Sequence, residues 1–274
     1  MTCQRRRRAG TGATNRAREG TTSASPAAFF SPSAILSSVT DDPAMEHAAR
    51  RRDAAGRRRQ VIAAGHAGRV EEARRGLHDP DPDVQAAALG ALARLGALTV
   101  PDLARALTTG PPAVRRRAAD AALSVRGRGS RSTLYALVEE SLADTDPLVV
   151  VGAAWFLGER RVTGAVSALA TTARSHDDVR CREAAVAALG AIGHPDGLPS
   201  VIDALEDKPT VRRRATVALA GFDDPRAEPA LRRAAQDRDW QVRQAADELM
   251  AAEPPAPAES SAQEEPSAAI SRRR

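Results

Sequence analysis

The sequence predicts an all-α fold, an α-solenoid of about six antiparallel helical hairpins that occupies residues 45–252. Three observations lead to this prediction. One hydrophobic pattern recurs along the chain, its internal spacing places the apolar residues on one face of a helix, and aromatic residues make up only 3% of the sequence. A core without large rings suits helices that pack closely through small side chains, and a recurring unit is typical of a repeat protein.

Each copy of the pattern starts at an apolar residue, here called the anchor, that follows an acidic or proline-containing turn. Alanine follows the anchor four positions later, and further apolar residues follow seven and eight positions later. Residues at these offsets share one face of an α-helix. Successive anchors lie 30 to 35 residues apart, and they are Val84, Val114, Val149, Cys181, Val211 and Val242. Aspartates three and five positions before several anchors are predicted to cap the helix that follows.

Shorter apolar-periodic stretches separate the anchored segments, such as Leu103 with Leu107 and Val166 with Leu169. A step of about 31 residues accommodates two helices of roughly 11–12 residues and their turns. Each repeat is therefore predicted to be a hairpin of a first helix, A, and an anchored second helix, B. One hairpin alone cannot bury its apolar face, but a stack of hairpins can.

The composition changes at both ends of this region. Residues 1–44 are rich in Arg, Gly, Ser and Thr without a helical period, which predicts a disordered basic N-terminal extension. A helix-forming run from Met45 to Ala64 opens the solenoid. Residues 253–274 are rich in proline and serine and are predicted to form a disordered C-terminal tail.

The net charge of +5 is distributed unevenly along the chain. Residues 1–59 carry 12 arginines and 5 acidic residues, whereas residues 60–252 carry 25 basic and 26 acidic residues. The basic extension could bind nucleic acid non-specifically. The near-neutral body argues against a nucleic-acid protein, because phosphate binding requires a basic face.

Several classes of protein are disfavoured by simpler features. No apolar run is long enough to span a membrane, and the residues after the basic start are polar, unlike a signal peptide. Two cysteines, Cys3 and Cys181, do not make a disulfide framework. A cytoplasmic location is therefore expected.

The turns and helix ends resemble those of the HEAT-repeat family, in particular the short HEAT-like repeats of the phycobilisome-lyase (PBS lyase) type. The resemblance rests on turn sequences such as Asp178-Val179-Arg180 and on endings such as Ala188-Leu189-Gly190. It covers roughly residues 60–250, and it implies an armadillo-like helical superhelix whose B helices line the concave side.

The resemblance also implies a ladder of aspartate and arginine side chains between neighbouring repeats. Arginine directly follows the anchor in four repeats, although a cation in the first turn of a helix opposes the helix dipole. Carried over from the family, the ladder would consist of Arg115, Arg182, Arg212 and Arg243 with Asp83, Asp178 and Asp239 as candidate partners.

The third repeat departs from the pattern, because valines occupy the two positions after its anchor and Trp155 lies six positions after it. Aligning the repeats places apolar residues on a stripe that points away from the core. The candidate partner-binding residues are this stripe and two flanking arginines, namely Val151, Trp155, Ala187, Val217, Arg116 and Arg213. Two alternatives stay open: Trp155 could fill a gap left by the longest repeat step, and the arginines could be solvated charges.

No pattern for catalysis, a cofactor or a metal emerges from the sequence. Some HEAT-like enzymes hold iron with His-Glu pairs, but this chain has none, and its His-Asp pairs at His78 and His176 lie in turns. Cys181 occupies an anchor position, which predicts a buried thiol. No catalytic, cofactor-binding or metal-binding residue is therefore assigned.

The leading functional prediction is a non-catalytic scaffold or adaptor that binds another protein on the concave face. By resemblance, a bilin-lyase-like or chaperone-like subunit is the second prediction. Nucleic-acid binding through the arginine clusters is the third.

Overall fold

The computed structural model describes residues 43–125 and 131–251. The chain divides into two compact units, residues 1–48 and 49–274, and only the start of one helix is described in the first unit. Almost all of the predicted N-terminal extension, and the whole predicted tail over residues 253–274, therefore lie outside the described residues.

The described residues form thirteen α-helices and no strand, which confirms the predicted fold class. The run that opens at Met45 lies within a long first helix, α1 (Pro43–His66). The A helices of the six repeats are α2 (Val70–Arg75), α4 (Val100–Thr109), α6 (Arg131–Glu140), α8 (Val166–Ser175), α10 (Leu198–Asp203) and α12 (Ala227–Ala234). The B helices are α3 (Pro82–Arg94), α5 (Pro112–Ala121), α7 (Pro147–Glu159), α9 (Val179–Ile192), α11 (Pro209–Leu219) and α13 (Trp240–Ala251).

The anchors and the alanines four positions after them form much of the core of the stack. All six anchors are between 0 and 3% exposed, and the six alanines four positions later are all 0% exposed. The two positions lie one above the other on the same helix face. This face of each B helix therefore packs inward, as the periodicity predicts.

Consecutive B helices pack side by side along the chain. Glycine at the end of a B helix permits this close approach. A Cβ atom added to Gly190 in α9 would lie 2.6 Å from Cβ of Ala218 in α11, and one added to Gly158 would lie 2.9 Å from Cα of Ala188. The Leu-Gly endings at residues 157–158 and 189–190 are thus positions where neighbouring B helices touch.

Aspartates in the turns cap the B helices. Asp81 accepts hydrogen bonds from the backbone N–H groups of Asp83 and Val84, and Asp146 accepts one from Leu148. The aspartates two positions earlier fold the turn itself, since Asp79 and Asp144 each accept the backbone N–H of the capping residue. The capping prediction is correct at these turns.

The sixth repeat carries a polar residue where the others are apolar or buried. Five positions after the anchor, the first five repeats have Leu89, Ala119, Ala154, Val186 and Thr216, which are all at most 1% exposed. In α13 the same position is Asp247, which is exposed. A polar outer face is typical of a terminal repeat that ends a stack.

No helix within residues 43–125 and 131–251 is both long enough and apolar enough to cross a lipid bilayer.

Candidate functional site

Arginines at the start of the B helices link consecutive repeats through paired hydrogen bonds. Arg115 donates Nε–H and Nη2–H to the two carboxylate oxygens of Asp144, at 2.7 and 3.0 Å. Arg182 does the same to Asp207 at 2.7 and 2.8 Å, and Arg212 to Asp237 at 2.8 and 2.8 Å. Such two-point pairs are stronger than neutral hydrogen bonds. They offset the unfavourable placement of a cation at a helix N-terminus.

The remaining guanidinium nitrogen of each arginine binds the turn of its own repeat. Nη1 of Arg212 donates to the carbonyl of Asp207 at 2.9 Å, and Nη1 of Arg182 donates to that of His176 at 2.8 Å. Arg243 in the last repeat keeps this contact with the carbonyl of Asp237 at 2.7 Å. No carboxylate pairs with Arg243 among the residues that the structure describes.

The acidic partners are not those that the resemblance implies. Asp178 and Asp239 cap their own helices by accepting the N–H groups of Arg180 and Gln241, and Asp83 is exposed. The partners lie four or five positions before the anchor of the next repeat. An aspartate there faces the preceding repeat, whereas one three positions before the anchor caps its own helix, and of these Asp146 also accepts Nε–H of Arg116 from the preceding repeat.

The ladder holds its carboxylates in the charged form. Hydrogen bonds from Arg182 and Arg212 lower the pKa values of Asp207 and Asp237. Burial raises the pKa of Asp144. Hydrogen bonds from Arg115 and from the Asp146 backbone outweigh burial, so the pKa is still lowered.

Acid is therefore expected to weaken the stack. A carboxylate with a lowered folded pKa stabilises the fold fully above its unfolded pKa of about 3.9, and this contribution is lost as the pH falls through the folded value. We expect the free energy of unfolding to drop steeply below about pH 4, measured by urea unfolding at a series of pH values. The Asp237→Asn variant should show a shallower drop, and an equally steep one would contradict the role of this pair.

The ladder is absent between the first and second repeats, where Gln85 follows the anchor, and it is interrupted again between the third and fourth. Val150 replaces the arginine and is fully buried, and His176 replaces the aspartate. Nδ1 of His176 accepts the backbone N–H of Asp178 at 3.0 Å, so the histidine folds the turn instead of linking the repeats. Apolar packing between α7 and α9 holds this junction together.

An open groove of about 600 Å³ lies between α7 and α9, on the face of the B helices that points away from their anchors. Trp155 stands in it with 51% of its surface exposed. Its α7 wall includes Leu148 and Val151, and its α9 side includes Ala184 and Ala187 together with the charged Arg180 and Glu183. A large half-exposed indole beside small apolar side chains is a surface that binding would desolvate at little cost.

The structure brings together three of the predicted apolar residues, Val151, Trp155 and Ala187, in this groove. Val217 is exposed on α11 but does not line the groove. Leu148 and Ala184 line it and were not predicted. Leu148 had a signal, because the residue before the anchor is polar in most other repeats.

The arginines that were predicted to flank the stripe and those that line the groove differ in their partners. Nε of Arg116 donates to Asp146 of the next repeat at 2.6 Å, so Arg116 is not simply a solvated charge. Arg213 is exposed and has no ion pair with any residue that the structure describes. Arg180 and Arg214 line the groove and pair with Asp178 and Glu183 at 2.7 and 3.3 Å.

The thiol of Cys181 lies in the core at 0% exposure, and burial raises its pKa to about 11. It donates to the carbonyl of Pro147 at 3.4 Å and stays protonated at neutral pH. Within residues 43–125 and 131–251, no group of three or more His, Cys, Asp or Glu side chains could hold a metal ion.

Comparisons with known proteins agree with the repeat architecture. The family model of HEAT repeats matches residues 134–220 and 198–252. A search of curated proteins gives no significant match.

Similar solved structures include the CpcE–CpcF complex of phycocyanin lyase from Nostoc sp. PCC7120, with 24% identity over 65% of this chain and 74% of that one, at a TM-score of 0.47. Human deoxyhypusine hydroxylase has 19% identity over 72% of this chain and 78% of its own, at a TM-score of 0.39. A designed armadillo repeat protein has 18% identity over 71% and 86%, at a TM-score of 0.35. Likenesses this distant assign no function to this chain. The match of the family model confirms the resemblance to HEAT repeats over residues 134–252.

Proposed function

We propose that this chain is a non-catalytic scaffold that binds another protein in the groove between α7 and α9. The observation that carries the proposal is the half-exposed Trp155 inside an apolar groove. Tryptophan is enriched among the residues that dominate binding energy at protein interfaces. Its neighbours Leu148 and Val151 would exclude water around it once a partner is bound.

The polar side chains support a structural role rather than chemistry. The aspartates and arginines that the turns bring together are paired with each other across the repeats, as in Arg212 with Asp237. Cys181 is buried and protonated. These groups stabilise the stack, and the groove offers a surface for a macromolecule.

The arginine clusters give less support to nucleic-acid binding. In the cluster of residues 115–117, Arg115 and Arg116 are both paired with aspartates of the next repeat. In the cluster of residues 212–214, Arg212 and Arg214 are paired and only Arg213 is exposed without a carboxylate partner among the described residues. Phosphate contacts would have to compete with these existing ion pairs.

The test is capture of a partner by the Trp155→Ala variant. We expect the wild-type chain to retain a specific protein from a lysate of its source cells and the variant to lose it. Removing an interface tryptophan costs about 2 kcal/mol or more, which is roughly a thirtyfold loss of affinity. The measurement is quantitative mass spectrometry of the bound fraction.

Trp240→Ala is the matched control, because Trp240 is also an exposed tryptophan on a B helix but lies far along the chain in α13. Equal retention by both variants would argue against the groove. Loss of retention together with a lower unfolding midpoint in Trp155→Ala would instead show that Trp155 serves the fold.

A further inference from the structure

The groove has the length of a short helix. Leu148 and Arg180 lie one position before the anchors of their repeats, and Glu159 and Ala191 lie ten positions after them. The lining residues thus span twelve residues of each helix, and the eleven steps between the first and the last correspond to about 16 Å along the helix axis. A partner helix of roughly three turns has the same length.

The character of the lining favours a helix over an extended strand. The groove is bordered by side chains of helices, and no sheet edge exists within the described residues to pair with an added strand. An extended peptide would leave its backbone N–H and C=O groups unpaired against apolar side chains. A helix satisfies these groups internally and presents apolar side chains at every third or fourth position.

Small residues on the α9 side allow such a helix to approach closely. Ala184 and Ala187 are not buried and leave space beside the larger Trp155. Side chains of a partner helix at spacings of four and three residues could enter this space against the indole.

The charges at the N-terminal end of the groove favour an acidic partner. Two arginines that line the groove, one from α9 and one from α11, pair with carboxylates that are less exposed than the arginines themselves. The side-chain exposures are 59% for Arg180 against 22% for Asp178, and 45% for Arg214 against 31% for Glu183. Arg213, which precedes Arg214 in the chain, adds a further exposed cation near the start of α11. Glu159 is an exposed carboxylate at the opposite end of the groove, so the guanidinium surface is confined to the N-terminal ends of these helices.

We infer that the occupant of the groove is an acidic amphipathic helix of about three turns belonging to a partner protein, an inference that rests on the function proposed above. Its apolar face packs on Trp155, Leu148 and Val151. Its acidic residues lie against Arg180 and Arg214, beside the exposed Arg213. Opposite charges at an interface rim chiefly accelerate association and reject partners of the wrong sign.

The probe is a fluorescein-labelled peptide of about 12 residues with leucines at spacings of four and three and with glutamates and alanines elsewhere. A twin peptide carries lysine in place of every glutamate. Fluorescence anisotropy is measured with the full chain at low ionic strength, where rim charges are least screened. We expect the glutamate peptide to bind at least about tenfold more tightly than the lysine peptide.

Two variants make the test specific. Trp155→Ala should abolish binding of the glutamate peptide. Arg213→Glu combined with Arg214→Glu should remove or reverse the preference for glutamate over lysine, and circular dichroism checks that the variants remain folded.

The outcomes separate this inference from the proposed function. Equal binding of the two peptides, or no binding of either, overturns the acidic helix. The scaffold function is tested separately, by whether capture of a partner depends on Trp155. A DNA oligonucleotide that binds independently of Trp155 and displaces the glutamate peptide also overturns it, because the arginines would then form a nucleic-acid surface.

Discussion

Replacing Arg212 with alanine is expected to lower the free energy of unfolding by about 3–5 kcal/mol. The Arg212 residue is only 3% exposed, and its guanidinium donates to both oxygens of Asp237 and to the carbonyl of Asp207. Alanine would leave the Asp237 side chain, which is 13% exposed, with only the backbone N–H of Asp239 as a donor. Breaking a buried pair from one side costs more than the pair contributes, because a charge is left without compensation.

The loss should be largest in the sixth repeat, which this pair joins to the fifth. Hydrogen exchange measured by mass spectrometry should show faster exchange over residues 227–251 in the variant, together with an earlier urea transition. Arg226→Ala is the control, since Arg226 makes the same two-point contact with Asp224 on the surface. Surface pairs of this kind contribute little, so no clear change is expected there, and equal effects of the two variants would contradict a special role for the ladder.

Replacing Phe156 with alanine is expected to destabilise the chain by about 3–5 kcal/mol. Phe156 is the largest side chain among those that are fully buried, and it lies seven positions after its anchor. Four of the other five repeats have alanine there. Its ring packs edge-on against Tyr135 of α6, with ring centroids 6.0 Å apart. The neighbouring helices are fitted to this ring, so its removal leaves a cavity that they fill only in part.

The measurement is urea unfolding of Phe156→Ala beside Phe156→Leu. Leucine retains most of the buried volume, so its cost should be below about 1.5 kcal/mol. Trp155→Ala, which changes the preceding residue on the same helix, should cost far less than Phe156→Ala. A larger loss for Trp155→Ala would mean that the indole supports the core and would contradict its assignment to the binding surface.

Much of the fold could be predicted because burial follows a simple period. Val84 and its five counterparts, together with the alanines four positions later, lie in the core because the helical repeat puts both on one face. The turn aspartates could be predicted as caps for the same local reason.

The partners of the ladder arginines could not be predicted from the same rules. Whether Arg115 meets Asp144 or Asp146 depends on the lateral offset between two repeats, which sequence spacing does not define. The structure shows that Arg115 takes Asp144 and Arg116 takes Asp146.

The helical period predicts which side chains point away from the core, but it does not predict which of them line the groove. Trp155 and Val151 point outward because of their positions relative to Val149, and both line the groove. Val217 has an equivalent angular position on α11, yet Arg214 is the residue of that helix that lines the groove. Which residues of a neighbouring helix reach the groove depends on packing between helices, which the period within one helix does not define.

The central claim is that a protein partner binds over Trp155, and the fluorescence of that residue tests it most directly. The chain has two tryptophans, so the Trp240→Phe variant leaves Trp155 as the sole indole. In the free variant we expect the emission of a water-exposed indole, and addition of the captured partner should shift it to shorter wavelength and reduce its quenching by iodide. A partner that binds without changing the emission or quenching of Trp155 would contradict the claim.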